Sequence, residues 1–319
     1  MLPQNFYKFF AEDEMKRREF LKSGFLAGAS VTLPGVYGSM LANTSSTTPP
    51  AFDLVAIKGG EPDVMFDEAI KHLGGIKQFV KKNQKVVVKP NIGWDVVPER
   101  GANTNPKLVS RVVKHCFDAG AKEVYVFDHT CDDWKRSYAN SGIEKAVKDA
   151  GGTMVPGNSE GMYQEVSINF GKSLTKTKVH ELVLDSDVFI NIPILKHHAS
   201  TKLTICMKNL MGVVWDRGYW HRNNLHQCIA DYCTYTKKPL LNIVDAYYVM
   251  KQNGPRGVSA ADIALMKSQI ISTDMVAADA AAAKTFGLEP SDVSYIKIAD
   301  SMKIGTMELS KLNIKRIIL

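Results

Sequence analysis

This chain is poor in the features that settle a protein's class at once. It has five cysteines in 319 residues, Cys116, Cys131, Cys206, Cys228 and Cys233, an odd number without a C-x-x-C pair. That spacing argues against a disulfide framework and against an iron–sulfur cluster of the ferredoxin kind, which needs closely spaced thiolates. All five read as buried or bystander thiols. No uninterrupted run approaches the ~20 apolar residues of a membrane span, so no stable span is expected. The formal charge is +7, but the lysines are dispersed among acids and no nucleic-acid-binding motif accompanies them, so nucleic acid is not an expected partner. There is no internal repeat and no second composition regime. At 45% hydrophobic and 23% charged, the chain has ordinary globular values and ample material for one large core.

What is present begins with an address. From Met15 the chain reads MKRREFLKSGFLAGASVTLPGVYGSMLANTSSTTPP, with Arg17 and Arg18 ahead of Phe20, Leu21 and Lys22. This resembles the twin-arginine export signals. The run 24–40 is only mildly apolar and is broken by Gly28, Pro34, Gly35 and Gly38, which makes it a signal rather than an anchor. Glu12, Asp13 and Glu14 form an unusual approach to a basic stretch, so translation is expected to start at Met15. The expected organisation is a signal peptide over 1–42, a Ser/Thr/Pro linker over 43–51 and a single α/β domain over 52–319. The resemblance implies the twin-arginine export machinery as a partner and the periplasm as the location. That route carries folded cargo, which motivates a search for a divalent metal or a phosphate-bearing organic cofactor.

After the linker, short β-branched apolar runs alternate with helical patterns, the signature of βα units and a largely parallel, mixed sheet flanked by helices. Strands are expected at 52–57, 85–89, 123–127, 188–192, 240–244, 268–272 and 314–318. Helices are expected at 64–81, 106–119, 143–150, 204–213, 225–235 and 275–286, with a β-rich patch inserted between 153 and 178. In such sheets ligands sit beyond the carboxyl ends of the strands, so functional residues should follow the strands.

Several do. The run KVVVKPN delivers Lys89 and Asn91 where the chain leaves the sheet, a cation and an amide suited to a carboxylate or phosphate. Thr104 and Asn105 precede Pro106 as a helix start, itself a ready anion site. Asp128 and His129 end another strand, where metal ligand, general base and structural histidine are all open readings. The densest stretch is NIPILKHHASTKLTICMKNLMGVV, with Lys196, His197, His198, Thr201, Thr204, Lys208 and Asn209 in an otherwise apolar segment. On a helix, Thr201, Thr204 and Lys208 would form one polar stripe. Asp245 closes a strand, and Gly254 and Gly257 lie in a rigid turn that lets backbone approach a ligand. Asp274 reads as a helix cap, Asp279 as an anchor for Lys208 or Lys196, and the run from Trp215 to Arg222 as a loop, either a lid or packed surface.

The strip P-x-L-K-x-H-x-x-T-x-x-T-x-x-x-K-N-L-M-G, with KPN near residue 90, Asp245, the Gly254 turn and the acids Asp274 and Asp279, resembles the domain-of-unknown-function family 362. The motifs run in order over 86–288. Some members carry a ferredoxin module whose cysteines this chain lacks. A fainter similarity is to the nickel-pincer lactate racemases, in the ten-residue spacing of His198 and Lys208 and in Asp128-His129-Thr130.

The functional expectation is an exported enzyme, of reaction unspecified, that binds a small anionic molecule or phosphate-bearing cofactor in a cleft. Lys89, Lys196 and Lys208 supply charge, Asn91, Thr104, Thr201, Thr204, Asn209, Gly254 and Gly257 bind, and His129, His198 and Lys208 act in chemistry. Asp128, His198 and Asp245 are the expected ligands of a divalent ion. The alternatives are a periplasmic carrier of a ligand or metal, using the same pocket without proton chemistry, and a redox protein.

Overall fold

The computed structural model describes residues 9–10 and 51–319. The expected signal peptide and linker therefore lie outside the described residues, apart from Phe9, Phe10 and Ala51. Eight strands make one sheet, in the order β12-β1-β11-β10-β7-β2-β3-β4. They are β1 (Leu54–Lys58), β2 (Lys85–Pro90), β3 (Glu123–Val126), β4 (Thr153–Met154), β7 (Val188–Ile192), β10 (Leu241–Met250), β11 (Ile263–Ser272) and β12 (Ile314–Ile318). Only β11 runs against the rest, pairing antiparallel with both β1 and β10. Two antiparallel hairpins stand apart, β5 (Tyr163–Ser167) with β6 (Lys176–His180), and β8 (Lys196–His198) with β9 (Lys202–Thr204). The fold is thus one α/β domain with a mixed, mostly parallel sheet, and all seven expected strands are present.

Strand periodicity assigns the two faces. Val86 and Val88 point into one core and Val87 into the other, as do Ile243 and Val244 in turn. The first core is closed by α1 (Pro62–Lys71), α2 (Pro106–Asp118), α3 (Trp134–Asn140) and α4 (Ile143–Asp149). Beyond α5 (Glu181–Asp185), the second core is covered by α6 (Cys206–Asn209), α8 (Leu225–Tyr232), α9 (Met275–Phe286) and α10 (Ser294–Ser301), with α7 (Arg217–Arg222) leading in. The alanine run of α9 is buried against the sheet, where small side chains allow close approach. Asp274 caps α9 by accepting the Val276 and Ala277 N–H groups, and Gly287 ends it.

Some elements differ from expectation for identifiable reasons. The helix expected over 64–81 stops at Lys71, because Gly74 and Gly75 take positive φ and turn the chain. The stretch 204–213 is not one helix: Thr204 is extended and paired with Lys196, and only a turn of helix and a 3₁₀ turn, Leu210–Val213, follow. The polar stripe of Thr201, Thr204 and Lys208 therefore does not exist as a helical face. The β-rich patch resolves into β4 on the sheet edge and the β5–β6 hairpin. The run from Trp215 to Arg222 contains the helix α7. Among the described residues, no helix is long and apolar enough to cross a membrane.

Candidate functional site

The carboxyl ends of β2 and β3, the β8–β9 hairpin and the turns of α6 and α7 enclose a cleft of about 840 Å³. Lys89 sits at its floor because alternation along β2 turns it toward the second core at the point where the apolar run ends. It is 1% exposed, its Nζ lies 2.9 Å from Asp128 Oδ1, and it donates to Asn209 Oδ1 at 2.7 Å. The other carboxylate oxygen of Asp128 accepts the Ile92 N–H at 2.7 Å. Gly212 closes over this pair. A Cβ there would fall 1.9 Å from Asp128 Oδ1 and 2.5 Å from Lys89 Nζ, so the KNLMG turn needs a residue without a side chain.

A chain of amides continues from the floor. Asn209 Oδ1 also accepts from Asn91 Nδ2 at 3.0 Å, and Asn91 Oδ1 accepts from Lys196 Nζ at 3.3 Å. Lys196 donates further to the Ala102 carbonyl and lies 5.9 Å from the Trp94 ring centroid. Asn209 is itself oriented by donating to Asn191 Oδ1. The turn carrying Lys208 and Asn209 is held from below by Asp279, whose carboxylate accepts the Cys206 and Met207 N–H groups. Asp279 thus anchors backbone rather than either lysine.

The charge is unbalanced. Lys196, Lys208 and Arg217 line the cleft with no carboxylate at ion-pair distance among the described residues. Of the other acids at its rim, Glu160 pairs with Lys178 at 2.6 Å and Asp216 faces Arg222 at 3.8 Å. Burial pushes Lys196 down to about 7 and Lys208 down to about 8, with Lys208, Lys89 and Arg217 contributing like-charge repulsion. Lys89 is also lowered by burial, against the pull of Asp128. Arg217 donates to the carbonyls of His129 and Thr130, both at 2.8 Å.

The two histidines present opposite faces. His129 Nδ1 lies 3.0 Å from the Val214 carbonyl and must donate to it, which leaves Nε2 with a free lone pair; the ring stacks on Trp215 at 4.9 Å. His198 Nδ1 accepts the Ser200 N–H at 3.1 Å, so its neutral ring carries the proton on Nε2. Burial and the neighbouring Lys208 and Lys196 hold His198 down to about 3, and burial with Arg217 lowers His129. Near neutral pH, one imidazole is an acceptor and the other a donor.

The cleft gathers Lys89, Asn91, Asp128, His129, Lys196, His198, Thr204, Lys208 and Asn209. It does not gather the rest of the expected set. Thr104 is consumed as a clamp between strand ends, donating to the Ile192 carbonyl and accepting from Asn91 N–H. Thr201 donates to the Leu203 carbonyl within its hairpin. Gly254 is packed on that hairpin, its N–H bonded to His197 Nδ1, and a Cβ there would lie 1.9 Å from the His197 carbonyl oxygen. Gly257 adopts φ 78° in the same turn, and neither glycine lines the cleft, although Pro255 does. Asp245 does not close its strand, since β10 runs on to Met250, and its side chain takes the opposite face, where its carboxylate accepts the Asn105 and Tyr247 N–H groups.

The expected divalent-ion site is therefore not assembled. Asp245 stands away from Asp128 and His198, Asp128 is engaged by Lys89 and Ile92, and His198 has a proton on the nitrogen it would offer. Among the described residues no group of three or more His, Cys, Asp or Glu side chains is arranged to hold a metal. Sequence reasoning passed over Arg217, Trp94 and Cys131 as site residues. Arg217 and Cys131 arrive from the start of α7 and a turn whose path only the folded chain reveals, while Gly212 was visible in the KNLMG motif.

The chain is similar to several known proteins. Thylakoid-associated protein sll1697 of Synechocystis sp. is 26% identical over 235 residues, 70% of each chain. The lactate racemase apoprotein from Thermoanaerobacterium thermosaccharolyticum superposes with a TM-score of 0.44 at 13% identity, over 67% of this chain and 53% of that one. A Thermotoga maritima protein solved by structural genomics gives 0.45 at 11% identity, over 76% and 60%. This chain thus spans about half the length of that racemase chain. A sequence profile described as "Domain of unknown function (DUF362)" matches residues 86–284, which include most of β2, the hairpin β8–β9, the Lys208 turn and most of α9, and the chain belongs to that family.

Proposed function

We propose that this protein is an exported enzyme that binds a small anionic substrate, or a phosphate-bearing cofactor, in the cleft at the carboxyl ends of the strands. The observation that supports this most is the excess of Lys196, Lys208 and Arg217 over unpaired acids in one cleft. Buried ammonium groups without counter-ions are costly, and an incoming anion supplies the missing partner. Lys208 and the Nε2–H of His198 bind the anion, Lys196 stays tethered to Asn91 as a second charge, and His129 Nε2 takes a proton from the bound molecule. The Lys89–Asp128 pair is the fixed floor and carries no step. Export to the periplasm rests on the twin-arginine run at Arg17 and Arg18.

Titration calorimetry with inorganic pyrophosphate and with malonate tests the cleft. The wild type should bind at least one of them at neutral pH, and Lys208→Met should lose it while keeping the wild-type circular dichroism spectrum. Undiminished binding by that variant would sink the proposal. Turnover on a panel of carboxylates and phosphate esters that disappears in His129→Gln, with binding kept, separates an enzyme from a carrier. Replacing Arg17 and Arg18 by lysine should hold the protein inside the cell, and unchanged export would remove the periplasmic half.

A further inference from the structure

Cys131 is the exposed thiol among the described residues, whereas Cys116, Cys206, Cys228 and Cys233 are buried. It stands in the same cleft as the unpaired cations. Arg217 Nη1 lies 3.5 Å from Cys131 Sγ and donates to it, so a cation stands beside the thiol. The loop is pinned, since the Cys131 and Asp132 N–H groups both reach the Gly93 carbonyl, at 2.8 and 3.1 Å. Two further groups in the cleft wait for a partner. The Lys208 ammonium, on a residue 9% exposed, makes no hydrogen bond or ion pair among the described residues, and Thr204 Oγ1, on a residue 3% exposed, has no hydrogen bond either. Thiol, hydroxyl and ammonium groups therefore converge where a ligand bearing both a negative charge and an electrophile would fit.

We propose that Cys131 is a thiol–disulfide exchange site selective for small disulfides that carry carboxylates. This deepens, and rests on, the reading of the cleft as an anion site. Lys208 and Lys196 hold the carboxylates, and the Cys131 thiol loses its proton to solvent. The thiolate attacks one sulfur of the incoming disulfide, whose S–S bond breaks as the new bond to Cys131 Sγ forms. The departing thiolate leaves with the electron pair and takes up a proton, so Cys131 is oxidised as one half of the disulfide is reduced. The other four thiols are buried, so the product rests as a mixed disulfide until a small thiol releases it.

The test is the rate of adduct formation, read by intact mass, with oxidised glutathione, the neutral hydroxyethyl disulfide and the cationic cystamine. Oxidised glutathione should react at least about tenfold faster than the neutral disulfide, the scale expected of charge steering, and cystamine more slowly than either. Cys131→Ser should take no adduct, and Lys208→Met should collapse the order. Equal rates for the three disulfides, or an adduct that persists in Cys131→Ser, overturns the proposal. Pyrophosphate titration of the unmodified wild type decides the anion reading separately. Binding of pyrophosphate together with equal disulfide rates removes only the exchange chemistry, and failure of both removes both.

Discussion

The buried acids and the buried lysines of this molecule are treated in opposite ways. Asp231 accepts the N–H groups of Lys172, Ser173 and Leu174 at 2.9, 2.6 and 2.9 Å, and so fastens the loop between β5 and β6. Asp262 holds the turn after β10 through the Val258 and Ser259 N–H groups, and Asp279 holds the start of α6. Each acid is spent on backbone. Of the buried lysines, Lys89 keeps a carboxylate, Lys196 has only neutral oxygens, and Lys208 has no partner among the described residues. The difference assigns the two regions different work: the acids stabilise loops, while the cleft retains charge that the fold alone leaves uncompensated.

Substitutions on each side should separate these roles. The largest effect on stability is expected at Asp231→Ala, which orphans three backbone donors and should cost about 3 kcal/mol or more in urea denaturation. Anion affinity, extrapolated to native conditions, should stay within about twofold. A stability loss under about 1 kcal/mol would show that water replaces the carboxylate.

Lys208→Met should do the reverse. Its stability should match or exceed wild type, because a buried charge without a partner is removed, while pyrophosphate affinity falls roughly a hundredfold. A clear loss of stability would mean that Lys208 belongs to the scaffold, and the contrast between the regions would fail.

A smaller effect is expected from pH. In the fold, Lys196 titrates at about 7 and Lys208 at about 8, both below the ordinary lysine value of 10.5. Between pH 7 and 10 the unfolded chain therefore holds more protons at these two sites. Their contribution is least favourable below pH 7, and ligand-free stability should rise with pH across that window. Lys208→Met should flatten the rise. Anion affinity should move the opposite way, falling as pH passes through 7 to 8 and the ammonium groups are lost, which calorimetry at several pH values would measure. The smallest effect is expected at His198→Gln. It keeps a donor near the Nε2 position, and should lower pyrophosphate affinity by about tenfold or less with stability nearly unchanged.

The parts of the fold that were legible are those where local pattern and burial agree. Runs such as Val86–Val88 and Val188–Ile190 are apolar because both faces of the central sheet are covered, and they are strands wherever the chain places them. The stretch from Thr201 to Lys208 was misread as helical because its polar residues happen to recur at helical spacing, whereas pairing of Thr204 with Lys196 imposes an extended backbone. Within the site, residues that follow strand ends were found, since strand direction sets where they emerge. Asp245 was misassigned because β10 continues past it to Met250 and turns its side chain to the other face, and Gly254 because sequence does not reveal that it packs on His197. Cys131 was taken for a bystander because no motif surrounds it; its exposure and its contact with Arg217 arise from a turn and a helix far apart in sequence.

By itself the sequence determined the α/β class, the strand positions, the family and the lysines and amides that would gather at one end of the sheet. These follow from periodicity and composition, which act over a few residues at a time. Tertiary structure alone decided which charges are paired. It gave Asp128 to Lys89, spent the remaining buried acids on backbone N–H groups and left Lys208 facing an open cleft, because ion pairing depends on distances of a few ångströms between segments separated by tens of residues.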